Sequence, residues 1–348
     1  MTRLPLLIPA VVLLAACGGG GKDGGSGGAA SGQIKIVGSS TVYPFTTAVA
    51  EAFQRDNPGT SVIVESTGTG GGIKLFCSGV GGSTPDMVNA SRPIKKSEVE
   101  DCAKNGAKSI IEIPVGIDGL TFIQAKNSPA LKLSDKMIYA AIAANPFGKP
   151  NTAKTWKDVD PSLPAQPIRV MGPPPTSGTR DSLADLILTK GCETDPAMKA
   201  LKKSDEAKHK DYCTKIREDG AYVEAGENDN LLVQKVDADP NTIGVLGFSY
   251  LDENADKVKP IALDGVLPTE DTIANLTYPG SRKLYVYTKG EHLTVKPKIK
   301  DFIAAYAKMW GKGGPLEKRG LVPFAGADET AATAQAASLT PLDPASVK

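Results

Sequence analysis

The sequence predicts an α/β protein with mostly parallel sheets covered on both faces. Three observations carry this. Short β-branched runs alternate with segments of helical period from Ile34 to Trp310. Strand and helix signals come in turn, not in blocks, which is the pattern of βα units. Three strand ends run directly into Ser/Thr/Gly clusters at expected helix starts, the place where ligands bind in open α/β sheets.

The elements follow in order. Residues 34–37 read as a strand, and 44–55 as a helix with Pro44 in its first turn and Ala48, Val49, Ala52 and Phe53 on one face. Asn57, Pro58 and Gly59 end that helix. Residues 61–65 are a second strand, and a helix is expected to begin at Ile73. A short strand at 86–89 leads into Ala90, Ser91, Arg92 and Pro93. Residues 97–105 suit a helix, with Ser97 as its N-cap and Glu100 three positions on. Residues 109–115 and 120–125 read as two strands, 134–143 as a helix and 168–171 as a strand. Helices are expected at 180–190, 196–218 and 231–236, strands at 243–247 and 284–288, and a long helix at 297–310. No repeat is visible, and the Ala/Thr-rich tail after Asp328 is expected to fray.

The first 32 residues read as an address. Arg3 is a minimal positive region, and residues 4–16 are apolar, about 13 residues against the roughly 20 a membrane-spanning helix needs. They suit a signal peptide, 1–16. Leu14, Ala15, Ala16 and Cys17 look like a lipobox, with Cys17 as the lipidated new N-terminus. Residues 17–32 are nearly all Gly, Ser and Ala, a tether with an rms reach of roughly 20 Å. The folded part is expected to begin near Gln33, held at a membrane by acyl chains.

Four cysteines remain: Cys77, Cys102, Cys192 and Cys213. An even remainder in an exported chain suggests two disulfides. Of three possible pairings, the sequence-local one is Cys77–Cys102 with Cys192–Cys213, each worth on the order of 3 kcal/mol. Zinc is the rival reading, but no CxxC is present.

Charge excludes one broad class. Forty Lys and Arg stand against 39 Asp and Glu, net +1, and loss of Arg3 brings the balance to zero. A general nucleic-acid binder would be strongly basic. Only two histidines occur, His209 and His292, both in charged segments that look exposed, so a histidine metal centre is not expected.

The three junctions are Ser39-Ser40-Thr41, Thr67-Gly68-Thr69-Gly70 and Thr176-Ser177-Gly178-Thr179. Each offers hydroxyls and free backbone N–H groups at a helix start, which together favour an anion. Neither GxxxxGK[ST] nor GxGxxG is present there, so a small tetrahedral oxyanion fits better than a nucleotide. Arg92, after a strand and beside Ser91, is the candidate counter-charge, since its planar fork grips two oxygens at once. Arg180 is a second candidate.

Residues 37–44 (with Gly38, Ser39, Ser40 and Thr41), residues 89–94 (with Ser91-Arg92-Pro93) and Ser177-Gly178-Thr179 resemble the periplasmic phosphate-binding proteins of ABC importers. So does the late segment Tyr278-Pro279-Gly280-Ser281-Arg282-Lys283-Leu284-Tyr285. The likeness runs from about Ile34 to Phe324. It implies the type II periplasmic-binding-protein fold: two α/β lobes joined by two crossovers, with the ligand cleft between them. Lobe 1 would take 33–118, lobe 2 119–250, and 251–348 would return to lobe 1.

The resemblance also implies a site. Ser40, Thr41 and the Val42 N–H would bind from the first loop, Thr69 and Gly70 from the second, and Ser177, Gly178 and Thr179 from the third, with Arg92. The family's usual Asp is replaced by Arg92, and an Arg often found four residues before the Ser of SGT is Pro173. This matches the branch carrying an SRP motif. It leaves Asp118, Asp181, Glu224 and Asp229 as candidates to accept the proton of hydrogen phosphate.

The expectation is therefore a lipid-anchored, monomeric, extracytoplasmic receptor. It would bind inorganic phosphate and deliver it to an ABC permease, needing no cofactor and acting as no enzyme. Sulfate, molybdate or phosphonate is the alternative ligand. An exported phosphoric-ester hydrolase is the remaining class, opposed by the lack of a GxSxG elbow and of metal-ligand spacing.

Overall fold

The computed structural model describes residues 33–175, 177–226 and 228–347. In chain order the strands are β1 (Gln33–Gly38), β2 (Ser61–Ser66), β3 (Met87–Ala90), β4 (Ile110–Ala125), β5 (Lys132–Leu133), β6 (Val170–Gly172), β7 (Tyr222–Glu224), β8 (Ile243–Gly247), β9 (Val258–Pro260), β10 (Ala262–Leu263) and β11 (Ser281–Lys289). The helices that position the site are α1 (Tyr43–Asp56), α2 (Thr69–Phe76), α3 (Lys96–Lys104), α4 (Asp135–Ile142), α5 (Trp156–Val159) and α6 (Gly178–Ser182).

Nine of these strands form one sheet in the order β2-β1-β3-β11-β4-β8-β6-β7, with β9 also on β4. β1 pairs in parallel with β2 and β3, and β11 lies antiparallel between β3 and β4. β4 is the spine. Its residues up to Gly119 pair with β11, and from Leu120 it pairs with β8. Two half-sheets with helices on their faces are thus joined through β4 and β11, the two-lobed α/β arrangement expected. The chain stays with the β8 half through β9, which pairs with residues 123–125 of β4. It next pairs with the β3 half at β11.

The core follows from the pattern. Ile34, Ile36 and Val37 of β1 are buried, and Val42, Phe45, Val49 and Phe53 bring α1 onto them. Phe53 meets Phe302 edge-on at 5.5 Å, which seats the helix Lys298–Ala307 beside α1. In the second lobe Tyr139 of α4, Trp156 of α5 and Leu183, Ile187 and Leu188 are buried against one another. The sulfurs of Cys77 and Cys102, and of Cys192 and Cys213, lie at disulfide distance. Cys17, the residues 1–16 and the tether lie outside the described residues.

Several elements differ from expectation for identifiable reasons. The runs 109–115 and 120–125 are one strand, because Gly116, at φ +155°, takes up a register shift opposite Leu284 and Tyr285 without a turn. α2 begins at Thr69, not Ile73. Its glycines are helical, and Gly72 is required: a Cβ there would lie 2.3 Å from the Gly38 Cα. α3 begins before Ser97, because the Glu98 carboxylate accepts from the Lys95 N–H at 2.8 Å and caps the turn earlier. The region 196–218 splits into Pro196–Ser204 and Glu206–Thr214, each capped by an aspartate, Asp195 and Asp205. The tail is a helix, Gly326–Ser338. Ala332 and Ala336 are buried on it, and Gln335 donates to the Glu112 carbonyl of β4 at 2.9 Å.

Candidate functional site

The directions of the strands decide where the site lies. β1, β2 and β3 end at Gly38, Ser66 and Ala90 on one side of the crossover. β8 runs against β4, and β6 and β7 run with β8, so they end at Gly247, Gly172 and Glu224 facing back. The carboxyl ends of both half-sheets meet at the crossover, and the helix starts that follow them meet there too.

The first loop is held tightly. The Ser39 N–H donates to the Asn89 carbonyl at 2.9 Å, and the Tyr43 N–H returns to Ser39 O at 3.0 Å. Val42, at the N-cap of α1, has only a long hydrogen bond from its N–H to Ser39 Oγ, 3.4 Å. The second loop is pinned to the first strand by Thr67 N–H to Gly38 O, 2.8 Å. Thr69 Oγ1 accepts from the Ser91 N–H at 3.1 Å and lies 3.0 Å from Ser91 Oγ. In the second lobe Ser177 caps α6, its Oγ accepting from the Thr179 N–H at 3.2 Å. The backbone stays helical from α6 through Leu183–Leu188, where the turn widens to π geometry, to Thr189–Cys192.

The lobes touch at these loops. Thr41 Oγ1 donates to the Gly178 carbonyl at 2.9 Å, and Ser40 Oγ donates to Asp181. The approach is so close that a Cβ on Gly178 would lie 2.4 Å from the Thr41 Cα. Beside this contact is a cavity of about 400 Å³ lined by Ser40, Thr41, Tyr43, Asp118, Ser177, Gly178, Thr179, Asp229, Tyr250 and Arg319, among others. A cavity of about 460 Å³ lies near it, between Phe248, Leu251, Pro260, Leu321 and Val322. Its walls are mostly apolar and hold none of the three helix starts, so it lacks the chemistry of an oxyanion site.

Comparison with known proteins bears on this geometry. The PBP superfamily domain model matches residues 24–307. Protein SphX of Synechococcus elongatus is 37% identical over 317 residues, covering 87% of this chain and 82% of the relative. The phosphate-binding protein PstS of Staphylococcus saprophyticus is 32% identical, covering 86% and 82%. The chain belongs to the PstS and SphX family of periplasmic phosphate-binding proteins. A solved structure, described as a possible phosphate binding protein from Planctomyces limnophilus, superposes with a TM-score of 0.71 at 28% identity. That match covers 89% of this chain and 99% of that one.

For a member of this family the charges are arranged in an unexpected way. Arg92 forms a bidentate pair with Glu98, at 2.9 and 2.8 Å, and donates to the Pro93 carbonyl at 3.0 Å. Burial opposes its charge, but the Glu98 pair, and then Asp185, more than compensate and raise its pKa. Asp185 belongs to the same helical run as α6, so Arg92 feels the opposite lobe even while it pairs with Glu98 of α3. Arg180 donates to the Pro173 carbonyl at 3.0 Å and lies over the Tyr222 ring at 4.8 Å. Glu224 is 3.8 Å from it.

The guanidinium that reaches the loop contact is Arg282, only 8% exposed. Its Nη2 donates to Thr41 Oγ1 at 2.9 Å and Ser182 Oγ at 2.5 Å, its Nε to Asp118 at 3.3 Å and its Nη1 to Asp185 at 3.2 Å. Ser182 Oγ in turn lies 2.6 Å from Asp118 Oδ2. Neither Arg282 nor Ser182 stood out as a site residue in the sequence. The available signal was the segment 278–285, whose likeness to the family already contained Arg282.

Both histidines are buried, contrary to their expected exposure. His292 Nδ1 is 2.6 Å from Asp86, and Nε2 is 2.9 Å from the Val80 carbonyl. Burial pushes the Asp86 carboxyl up, but His292, the Lys35 N–H and Lys296 outweigh it and hold it below the usual range. His292 and Lys296, from the segment that follows β11, close over the charge at 2.6 and 2.9 Å. His209 packs 3.2 Å from Glu193. Among the described residues no group of His, Cys, Asp or Glu could hold a metal ion, and no helix is long and apolar enough to cross a membrane.

Proposed function

We propose that this chain is an extracytoplasmic receptor that binds inorganic phosphate between its lobes and delivers it to an ABC permease. The observation that carries the reading is the Thr41–Gly178 contact, which sets a donor-bearing helix start from each lobe on one cavity. Two helix starts aimed at one point favour negative charge through free N–H groups and the helix dipoles. The Ser40 and Thr41 hydroxyls, the Val42 N–H and the Ser177–Thr179 turn supply donors without net charge. Thr69 and Gly70 complete the ring from α2, and Arg92 supplies a charge from its rim. The phosphate-binding protein PstS relative, covered to 82% of its length, supports the ligand.

Asp118 is our choice for the proton acceptor. It lines the cavity, and the hydrogen bonds found for it all fall on Oδ2, which leaves Oδ1 for a protonated oxyanion. Hydrogen phosphate carries such a proton and sulfate does not. The receptor acts as a monomer held by a lipid on Cys17, and it turns over no substrate.

Titration calorimetry with sodium phosphate and sodium sulfate tests this. Phosphate should bind at least a hundredfold tighter than sulfate, and a chromogenic phosphate ester should persist unhydrolysed. Undetectable phosphate binding overturns the ligand, and equal affinities reassign the site to oxyanions in general. Intact-mass analysis of protein from membranes should find diacylglycerol and an acyl chain on Cys17.

A further inference from the structure

Arg282 sits where the two lobes are joined. In the sheet register it lies directly opposite Asp118, one residue from the Ser281–Gly119 pair after which β4 changes partner from β11 to β8. Arg282 and Asp118 are therefore cross-strand neighbours on the two crossovers themselves. From that point the side chain reaches Thr41 in lobe 1 and both Ser182 and Asp185 in lobe 2.

We propose that Arg282 is the positioning residue that ties lobe closure to the donor state of Thr41, an inference that rests on the phosphate reading above. A guanidinium has five N–H donors. Four are committed to Asp118, Asp185, Thr41 and Ser182, so Arg282 is poorly placed to grip a ligand by itself. Its effect passes through Thr41. Because Thr41 Oγ1 accepts from Arg282, its single proton must point elsewhere. In this structure it goes to the Gly178 carbonyl. An anion at the loop takes that proton in place of the carbonyl. Ser182 carries the same logic across the cleft: accepting from Arg282, it gives its own proton to Asp118 at 2.6 Å or to Gly178 O at 3.1 Å.

The buried charge is matched by Asp118 and by the half-exposed Asp185. Loss of Arg282 would leave both carboxylates facing the cleft unopposed and free the Thr41 proton to turn. Opening the lobes separates Thr41 from Ser182, so the guanidinium can serve both only when the cleft is shut. Arg282 thus favours the shut state while keeping Thr41 ready for the ligand.

The test is a double-mutant cycle on the full-length protein, read with inorganic phosphate by calorimetry. Arg282→Lys keeps one charge but loses the fork and should weaken phosphate at least tenfold. Thr41→Val should weaken it comparably. In the double variant the losses should not multiply, since both remove the same oriented proton. Small-angle scattering without phosphate is the second readout. Arg282→Lys should enlarge the radius of gyration relative to the parent, and Asp118→Asn should do so less. Multiplicative losses, or parental affinity and radius in Arg282→Lys, overturn the proposal. Should the parent fail to bind phosphate, the ligand assignment falls, and the scattering comparison still decides the role of Arg282. Should Arg282→Lys fail to fold, Arg282→Gln, which keeps an amide donor without the charge, takes its place in the cycle with Thr41→Val, non-multiplicative losses supporting the proposal and multiplicative losses refuting it.

Discussion

A single methyl group on Gly178 separates folding from closure. The ideal Cβ at this position lies 2.4 Å from both the Cα and the N of Thr41, and 2.6 Å from the Ser40 carbonyl carbon. Those atoms are backbone of the opposite lobe and cannot swing aside. Carbon atoms rest about 3.5–4.0 Å apart, so Gly178→Ala must hold the loops at least about 1 Å further apart. Inside lobe 2 the change is benign, because Gly178 begins a helix and Ala is better there than Gly by up to about 1 kcal/mol. Overpacking of this kind costs about 1–3 kcal/mol. If binding requires the shut cleft, phosphate affinity falls about 5- to 150-fold. Calorimetry reads the affinity, scattering reads a loss of compaction on adding phosphate, and thermal unfolding should stay within about 2 °C of the parent. An affinity within twofold of the parent would refute the reasoning, since it would mean that the bound state does not use the Thr41–Gly178 contact.

Other perturbations probe separate features. Arg92→Ala should weaken phosphate, while Glu98→Gln, which releases Arg92 from its bidentate partner, should strengthen it; calorimetry showing no change in either confines Arg92 to its pair with Glu98. Asp135 is buried with one carboxylate oxygen lacking a partner, and burial, then the Asp264 charge, push its pKa up to about 7. The folded protein keeps that proton while the unfolded chain releases it near its ordinary value, so stability present at low pH is lost as pH rises toward 7. Asp135→Asn should therefore stabilise little at pH 4 and progressively more up to pH 8, with a linkage ceiling of about 4 kcal/mol. Urea unfolding at the two pH values checks this, and a variant less stable at pH 8 contradicts it. Removing the Cys192–Cys213 link by substituting both with Ala should cost on the order of 3 kcal/mol, read as a lower urea midpoint, and an unreduced digest should hold no Cys77–Cys192 peptide.

The alternation of elements was readable because period 2 and period 3.6 runs in this chain are short and cleanly punctuated. The hydroxyl loops were readable for the same reason: Ser/Thr/Gly clusters at strand ends are local signals. What escaped depends on distance in sequence. Arg282 acquires its role only from partners at Thr41 and Asp118, far away along the chain. The bidentate partner of Arg92 was not readable either, since its local company, Ser91 and Pro93, is the same whether or not Glu98 pairs with it. The histidines looked exposed because their neighbours are charged, yet His292 is covered by a loop and a strand that only the sheet brings together. The earlier start of α2 was hidden too, because the close approach that requires Gly72 is to Gly38, far back along the chain. The tail, expected to fray, is a helix whose small residues Ala332 and Ala336 suffice where it lies on β4.

The position of β11 has a consequence for how the protein is made. It fills the gap between β3 and β4, although it arrives long after both in the chain. In a polypeptide emerging N-terminus first, β6, β7, β8 and β9 find β4 while lobe 1 still holds two unsatisfied strand edges. Lobe 1 is therefore sealed last, by a contact between distant stretches that is slow to form. Until then its open edges are templates for another chain. Completion of the whole sheet thus waits on the arrival of one late strand.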